Sequence, residues 1–354
     1  MPAVFTTPPP LDAGDRVAVV APSRPIDESQ LDRACARLRD VFSLDPVVFE
    51  SARRDWEWLR DNPAGRAEDV MAAFEDPSIR GVIAVTGGDD QLRILPHLDP
   101  SRLTASPTRF FGFSDNDNLR LFLWTHGVVS YGATLHPTLT VDPELHPYVE
   151  RYLRRAFFER SIGVVEPAPE WTDDWFDFDT EEPREWRDNP GRTWRGDERV
   201  TGRLWGGNFS VLKWHLQTDR YLPDPDELDG AVLALETSED VPLPREVRYT
   251  LRSMGERGLL ERFDGVVVGR PRTYSPELEW EPPADYGAQL RAELLSVLDA
   301  YNPDATAVFD VEFGHADPTV PLPLGAKATL DPAVPLPLGA KATLDPAVER
   351  LRID

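Results

Sequence analysis

The chain predicts an α/β fold in which a parallel sheet carries helices on both faces. Three observations lead there. Arg16–Val20 (RVAVV), the run GVIAV at 81–85 and the run around Phe110-Phe111 are apolar without alternation, as strands buried on both faces are. Segments of helical spacing separate these runs in β-α-β-α order. At 354 residues and 41% hydrophobic content, the chain is long and apolar enough for two domains, each with its own core.

Taken in order, Arg16–Ser23 reads as a strand, and Asp27–Val41 as a helix with Leu31, Ala34, Leu38 and Val41 on one face. Pro46–Glu50 is a short strand, Gly65–Phe74 a helix and Gly81–Thr86 a buried strand. Gln91–Leu98 forms a short helix, followed by strand Phe110–Ser114, a helix over Asn116–His126 and strand Val128–Ala133. A helix at Leu145–Phe158 ends this unit, which sets a first domain at 1–164. From 165 to 205 the composition turns acidic, proline-bearing and aromatic with no clear period, and reads as an inter-domain insert. Six of the ten tryptophans lie between Trp171 and Trp214, a density that argues against disorder. Trp186 and Trp194 are the candidates for an aromatic substrate wall, and a plain anchor for a long loop is the equal alternative.

A second domain, 206–354, resumes with helix Ser210–Gln217, strand Ala231–Glu236, helix Arg245–Arg257, strand Asp264–Gly269, helix Tyr286–Leu298 and strand Thr306–Phe313. Near its end the fourteen residues Pro321–Val334 recur without change as Pro335–Val348. Two perfect copies are too few for a solenoid and indicate a tandem duplication. The first copy keeps its spacing from His315 and is expected in the native strand position, with the second at the surface.

The formal net charge of −24 argues against a nucleic-acid partner, since phosphate binding needs clustered basic residues. Lysine occurs only at 213, 327 and 341, and arginine supplies the other positive charges. That balance fits a concentrated-salt environment, where screening relieves self-repulsion, and fits a GC-rich genome equally well. No apolar run reaches membrane-spanning length and the N-terminus lacks signal-peptide character, so the expected address is cytoplasmic, with no membrane partner. A single cysteine, Cys35, excludes an internal disulfide and a cysteine zinc site. There is no dinucleotide fingerprint and no P-loop, and no cofactor is expected.

Open parallel sheets bind ligands beyond the carboxyl ends of their strands, which selects the residue after each apolar run. These are Gly87-Gly88-Asp89-Asp90, Ser114, Glu236 and Gly314-His315. Ser114 stands where a strand turns into a helix, so its hydroxyl is lifted from the sheet edge beside the unpaired N–H groups of the helix start. A helix N-cap is the plain alternative for Ser114, a helix cap for Glu236 and a turn residue for His315. A serine, a carboxylate and a histidine at three strand ends are together the parts of a hydrolytic triad.

The blocks Gly14–Ser23, Gly87-Gly88 with Arg93–Asp99, Gly112-Phe113-Ser114-Asp115, and Gly202–Asn208 with Leu235-Glu236 and Gly314-His315 occur together and in order. In this the chain resembles the LD-carboxypeptidase family of serine peptidases, and its tryptophan-rich insert resembles the branch of microcin C immunity peptidases. The resemblance implies Ser114 as nucleophile, His315 as base and Glu236 as the carboxylate orienting it. It implies an oxyanion hole from the backbone N–H groups of Gly88 and Asp115, with Asn208 beside the substrate and no metal. It further implies a smaller β-rich C-terminal domain, an active site in the cleft between the domains, and a homodimer. The implied substrate is a small peptide or a peptide-nucleotide; a murein tetrapeptide is the alternative substrate, and a non-catalytic binding cleft is the rival from another class. Ser238-Glu239-Asp240 stand where a phosphate-bearing substrate would call for basic residues.

Overall fold

The computed structural model describes residues 5–141, 143–178, 182–276, 278–332 and 350–354. Strands β1 (Arg16–Val20), β2 (Asp45–Val48), β3 (Ile79–Ala84), β4 (Arg109–Gly112) and β5 (Ser130–Gly132) lie side by side in the order β5-β4-β3-β1-β2, all parallel. Helices α1 (Glu28–Asp40), α2 (Trp56–Asp61), α3 (Pro63–Glu75), α4 (Pro100–Thr104), α5 (Asp117–Thr125) and α6 (Pro147–Phe158) complete this half. Alternate residues of one strand enter different apolar layers. Val17 and Val19 pack with Leu31 and Leu38 of α1, whereas Ala18 and Val20 pack with Val70 and Phe74 of α3 and Leu119 and Leu123 of α5. That division explains why these strands read as unbroken apolar runs: both pleat faces are dry.

The second half contains β6 (Gly163–Val165), β7 (Glu170–Trp171), β8 (Arg187–Asp188), β9 (Thr193–Arg195), β10 (Val200–Asn208), β11 (Ala231–Glu236), β12 (Phe263–Gly269) and β13 (Thr306–Val311). After them come β14 (Pro323–Leu324), β15 (Lys327–Asp331) and β16 (Arg350–Ile353), with helices α7 (Phe209–Thr218), α8 (Pro244–Glu256) and α9 (Tyr286–Tyr301). An eight-stranded sheet runs β6-β16-β15-β10-β11-β12-β13-β9. Its centre, β10 to β13, is parallel, and its flanking strands pair antiparallel. β14 leaves this half and pairs antiparallel with β5, adding a sixth strand to the first sheet and tying the two halves together.

The 165–205 segment departs from the reading of an inter-domain insert. Its β9 closes one edge of the eight-stranded sheet, and the nine-residue β10 that starts at Val200 is central to it. The pattern hid these strands because β9 is three residues long and β10 is interrupted by glycines at 202, 206 and 207. Trp205, counted with the insert, is buried in β10 against Phe263. The first copy of the duplicated segment supplies β14 and β15. The second copy, 335–348, lies outside the described residues.

Candidate active site

β4 ends at Gly112, Phe113 stays extended, and Ser114 adopts φ 62° at the head of a tight turn that leads into α5. A non-glycine residue in the left-handed region is uncommon and costs backbone energy, so it persists only where its surroundings hold it. Asn116 is part of that hold, donating through Nδ2 to the carbonyls of Thr86 (2.8 Å) and Phe113 (3.0 Å). Beside the turn runs the loop after β3. A Cβ added to Gly87 would stand 2.8 Å from the Ser114 Cβ, so only glycine allows this approach.

Asp115 was expected to contribute a backbone N–H, and its side chain does something the sequence reading missed. Buried, its Oδ2 accepts from Ser23 Oγ (2.5 Å) and from the N–H groups of Asp90 (3.0 Å) and Gln91 (2.8 Å), while Oδ1 accepts from Asn118 (2.8 Å). One carboxylate therefore fixes the glycine loop to the serine turn. Burial raises its pKa to about 6 despite these donors. The N–H groups of Gly88 and Asp115 donate no hydrogen bond among the described residues.

From the other half, β11 ends in Glu236 and the loop after β13 carries His315. His315 Nδ1 lies 2.7 Å from Glu236 Oε2, and its Nε2 lies 3.1 Å from Ser114 Oγ. Gly314, at φ 104°, permits this contact, because a Cβ there would sit 2.9 Å from Glu236 Oε2. The Phe113 ring packs on the imidazole at 4.5 Å. Ser114, Glu236 and His315, selected as strand-end residues, thus form one hydrogen-bonded line across the junction of the two sheets.

Asn208, the residue opposite Glu236 in the β10–β11 register, was expected beside the substrate. It lines the outer cavity, and its polar atoms are engaged within the protein: Nδ2 donates to Glu236 Oε1 (2.7 Å), and Oδ1 caps α7 by accepting from Ser210 and Val211. The Asn208 N–H donates to Asp117 Oδ2 (2.7 Å), and Asp117 Oδ1 pairs with buried Arg120 (2.5 Å). Arg120 also donates to the carbonyl of Leu322, just before β14. Beyond their mutual pairing, Asp117 and Arg120 carried no sequence signal, because Asn208 and Leu322, the groups they hold, lie in the other half of the chain.

Glu239 is the further group that strand-end reasoning did not place. Its Oε2 comes within 3.2 Å of His315 Nε2, the nitrogen that faces Ser114. Burial alone would depress the imidazole pKa, but the Glu236 and Glu239 carboxylates outweigh it and raise the pKa to about 9; Arg272 opposes them weakly.

Two adjoining cavities meet at this line. An inner one of about 190 Å³ is walled by Phe113, Trp175, Phe176, Phe178 and Trp186, with Arg184, Arg272, Asp174, Glu239 and Asp317 as charged members. An outer one of about 1030 Å³ opens past Trp56, Trp214, Asp27, Asp89, Glu239 and Asp240. Both include Gly87, Gly88 and Ser114. Trp186, stacked on His146 at 4.5 Å, lines the inner cavity. Trp194 does not: it stands opposite Val308 in the β9–β13 pair and packs on the core, which corrects its assignment to a substrate wall. No group of three or more His, Cys, Asp or Glu placed to hold a metal ion occurs among the described residues. No helix among them is long and apolar enough to cross a membrane.

A serine held at a strand-to-helix elbow, with an imidazole in reach, is the arrangement of a serine hydrolase. Residues 17–133 match the LD-carboxypeptidase N-terminal domain, and residues 201–330 match the LD-carboxypeptidase C-terminal domain. The chain belongs to the LD-carboxypeptidase family of serine peptidases. It is 31% identical over 265 residues to the murein tetrapeptide carboxypeptidase of Pseudomonas aeruginosa, covering 73% of this chain and 75% of that one. It is 23% identical over 272 residues to the microcin C7 self-immunity protein MccF of Escherichia coli, covering 75% of each. The fold matches that of an MccF-like protein from Streptococcus pneumoniae in complex with AMP, with a TM-score of 0.82 and 24% identity over 96% of this chain and 99% of that one.

Proposed function

We propose that the chain hydrolyses an amide bond in a small peptide or peptide-nucleotide, with Ser114 as nucleophile, His315 as base and Glu236 orienting it. The observation that carries this reading is the unbroken line from Glu236 Oε2 to His315 Nδ1 and from His315 Nε2 to Ser114 Oγ. Ser114 Oγ attacks the amide carbonyl carbon while its proton passes to Nε2. The oxyanion is received by the N–H groups of Gly88 and Asp115, each such donor being worth about 3 kcal/mol of barrier. The imidazolium returns its proton to the leaving nitrogen, and water then releases the acyl group by the same route reversed. Glu236, held by Asn208 on its other oxygen, keeps the proton of His315 on Nδ1 so that Nε2 faces the serine.

Two substrate readings have support from different walls. Glu239 and Asp240 in the outer cavity, opposite in charge to Arg24, Arg53 and Arg54 there, oppose a phosphate and favour a plain peptide, such as the murein tetrapeptide named for the Pseudomonas relative. The aromatic inner wall, with Trp186 at its edge, favours a ring-bearing group, such as the nucleotide bound by the MccF-like protein. A parallel screen of murein tetrapeptides against aminoacyl sulfamoyl adenylates decides between them by kcat/KM. Turnover of neither, with no serine labelling by a covalent inhibitor, would leave a binding cleft as the better reading. The homodimer and the cytoplasmic address belong to the same proposal, checked by sedimentation and by cell fractionation.

A further inference from the structure

His315 Nε2 has two polar neighbours and one proton to share between them. Ser114 Oγ stands at 3.1 Å and Glu239 Oε2 at 3.2 Å. Glu239 lies three residues beyond Glu236 in the loop that follows β11. Its Oε2 is buried against the imidazole with no hydrogen bond, yet the side chain as a whole is 40% exposed. It lines both cavities, as Ser114 does, so a molecule bound in either stands near both groups.

A base that must take a proton from serine cannot begin with a proton already on Nε2. In the free enzyme Glu239 favours that unproductive state, because a carboxylate at this range stabilises an imidazolium. Restoring the base requires that the charge of Glu239 be met by something other than His315. Among the described residues no salt bridge joins Glu239 to a basic group other than His315. Arg272 approaches from the loop after β12, but its guanidinium donates to the carbonyls of Tyr274, His315 and Asp173. Arg184, which lines the inner cavity, is bound to Asp317. His136, from the loop after β5, is kept neutral by burial, with a pKa of about 4. Arg24, at the rim of the outer cavity, is paired with Asp89. Arg53 and Arg54 lie exposed along the same outer cavity, Arg54 paired with Glu50, and Asp27, Glu28, Asp55 and Asp240 there are acidic.

We propose that Glu239 is the specificity-determining residue of this site: it takes a cationic group of the substrate, and in doing so releases His315 to serve Ser114. The inference rests on the triad reading above. When an ammonium group pairs with Glu239, the imidazolium loses its Nε2 proton to solvent. The freed lone pair then accepts the Ser114 hydroxyl proton. A ligand without the positive charge leaves His315 protonated and the hydroxyl unactivated. Selectivity for a cation and activation of the base are therefore one event.

The test follows the imidazole itself and needs no turnover. In protein with 13C-labelled histidine, the His315 pKa is read by NMR in wild type, in Glu239→Gln and in Ser114→Ala. The Ser114→Ala protein is titrated with N-acetyl-lysyl-D-alanine and with the isosteric N-acetyl-norleucyl-D-alanine. The His315 pKa is expected to fall by about one unit or more in Glu239→Gln, as removal of a neighbouring charge requires. The lysyl peptide should lower it likewise, and the norleucyl peptide should not. Equal pKa values in wild type and Glu239→Gln, or equal responses to the two peptides, including none to either, overturn the proposal. Failure of the triad reading shows separately, as catalysis retained by Ser114→Ala in the substrate screen.

Discussion

The two sheets serve the site by different physics. At the end of β4 everything is backbone geometry: a left-handed serine, a glycine loop that could not carry a side chain, and a buried carboxylate that locks one to the other. At the ends of β11 and β13 everything is charge: two carboxylates, one imidazole, and an asparagine and an aspartate that hold them. Geometry of the first kind is set by close-packed loops of one sheet and tolerates no added atom at Gly87. Electrostatics of the second kind are set by residues brought from both halves, and they respond to pH. The contact between Ser114 and His315 spans the junction, so on the proposed mechanism neither half would act without the other.

The strongest way to break that comparison is to remove one reacting atom from each side. Ser114→Ala and His315→Ala should each cost about a millionfold in kcat, and Glu236→Gln roughly ten-thousandfold or less, as in a related triad. Unchanged thermal unfolding should accompany the loss in Ser114→Ala. If that variant keeps more than a few per cent of activity (roughly, for a nucleophile), the assignment of the serine is wrong.

A methyl group sharpens the geometric side. Gly87→Ala places a Cβ 2.8 Å from the Ser114 Cβ, so the loop or the serine must shift. A displacement of that order should lower kcat about a hundredfold with KM much less affected. A kcat within threefold of wild type would show that the loop has more freedom than its anchoring by Asp115 implies.

On the electrostatic side the lever is pH. His315 acts as base only when neutral, and its pKa is raised to about 9 by Glu236 and Glu239. The kcat/KM profile should therefore climb tenfold per pH unit and level off near pH 9. Stability should move the other way. A base whose pKa is higher in the folded state contributes its full stabilisation below the ordinary histidine value of about 6.5, and loses it as pH rises through about 9. Melting temperature should fall over that window in wild type and stay flatter in His315→Ala. A kcat/KM profile already flat above pH 7 contradicts the raised pKa.

What could be read from the sequence follows the same division. Ser114 was legible because strand, turn and helix are consecutive, and Glu236 and His315 because each ends an apolar run. The service of Asn208 to Glu236 was not legible, because it depends on the register of β10 against β11, and β10 itself was hidden by its glycines. Nor could the place of Glu239 be read, since an acidic residue in an acidic chain carries no signal until His315 is folded beside it.

The tryptophans show the limit of composition. Trp186 and Trp194 share one segment, yet one lines the inner cavity and the other packs under β13. Trp186→Ala should raise KM several-fold with little change in melting temperature, a base–aromatic stack being worth roughly 1–3 kcal/mol. Trp194→Ala should leave KM unchanged and cost about 3 kcal/mol of stability. Equal thermal losses from both substitutions would return Trp186 to the role of anchor.

The smallest effect is expected from the duplicated segment. β15 ends at Asp331, β16 begins at Arg350, and these two residues face each other in the antiparallel register. The eighteen residues between them include the whole second copy, 335–348. Without it, four residues join the strands, Pro332-Ala333-Val334-Glu349, a length common for β-hairpins. Loop closure would become easier by about 1 kcal/mol, so the deletion should leave stability equal or slightly higher. Because the copies are identical, removing either one yields the same chain, and the experiment asks only whether one copy suffices. The single copy keeps the Leu322 carbonyl on Arg120 and β14 on β5, so the path from Asp117 to Glu236 is preserved. Activity should match wild type within about twofold, the range of a surface change away from the site. A fall in both activity and melting temperature would mean that fourteen further residues are needed to carry the chain from β15 to β16.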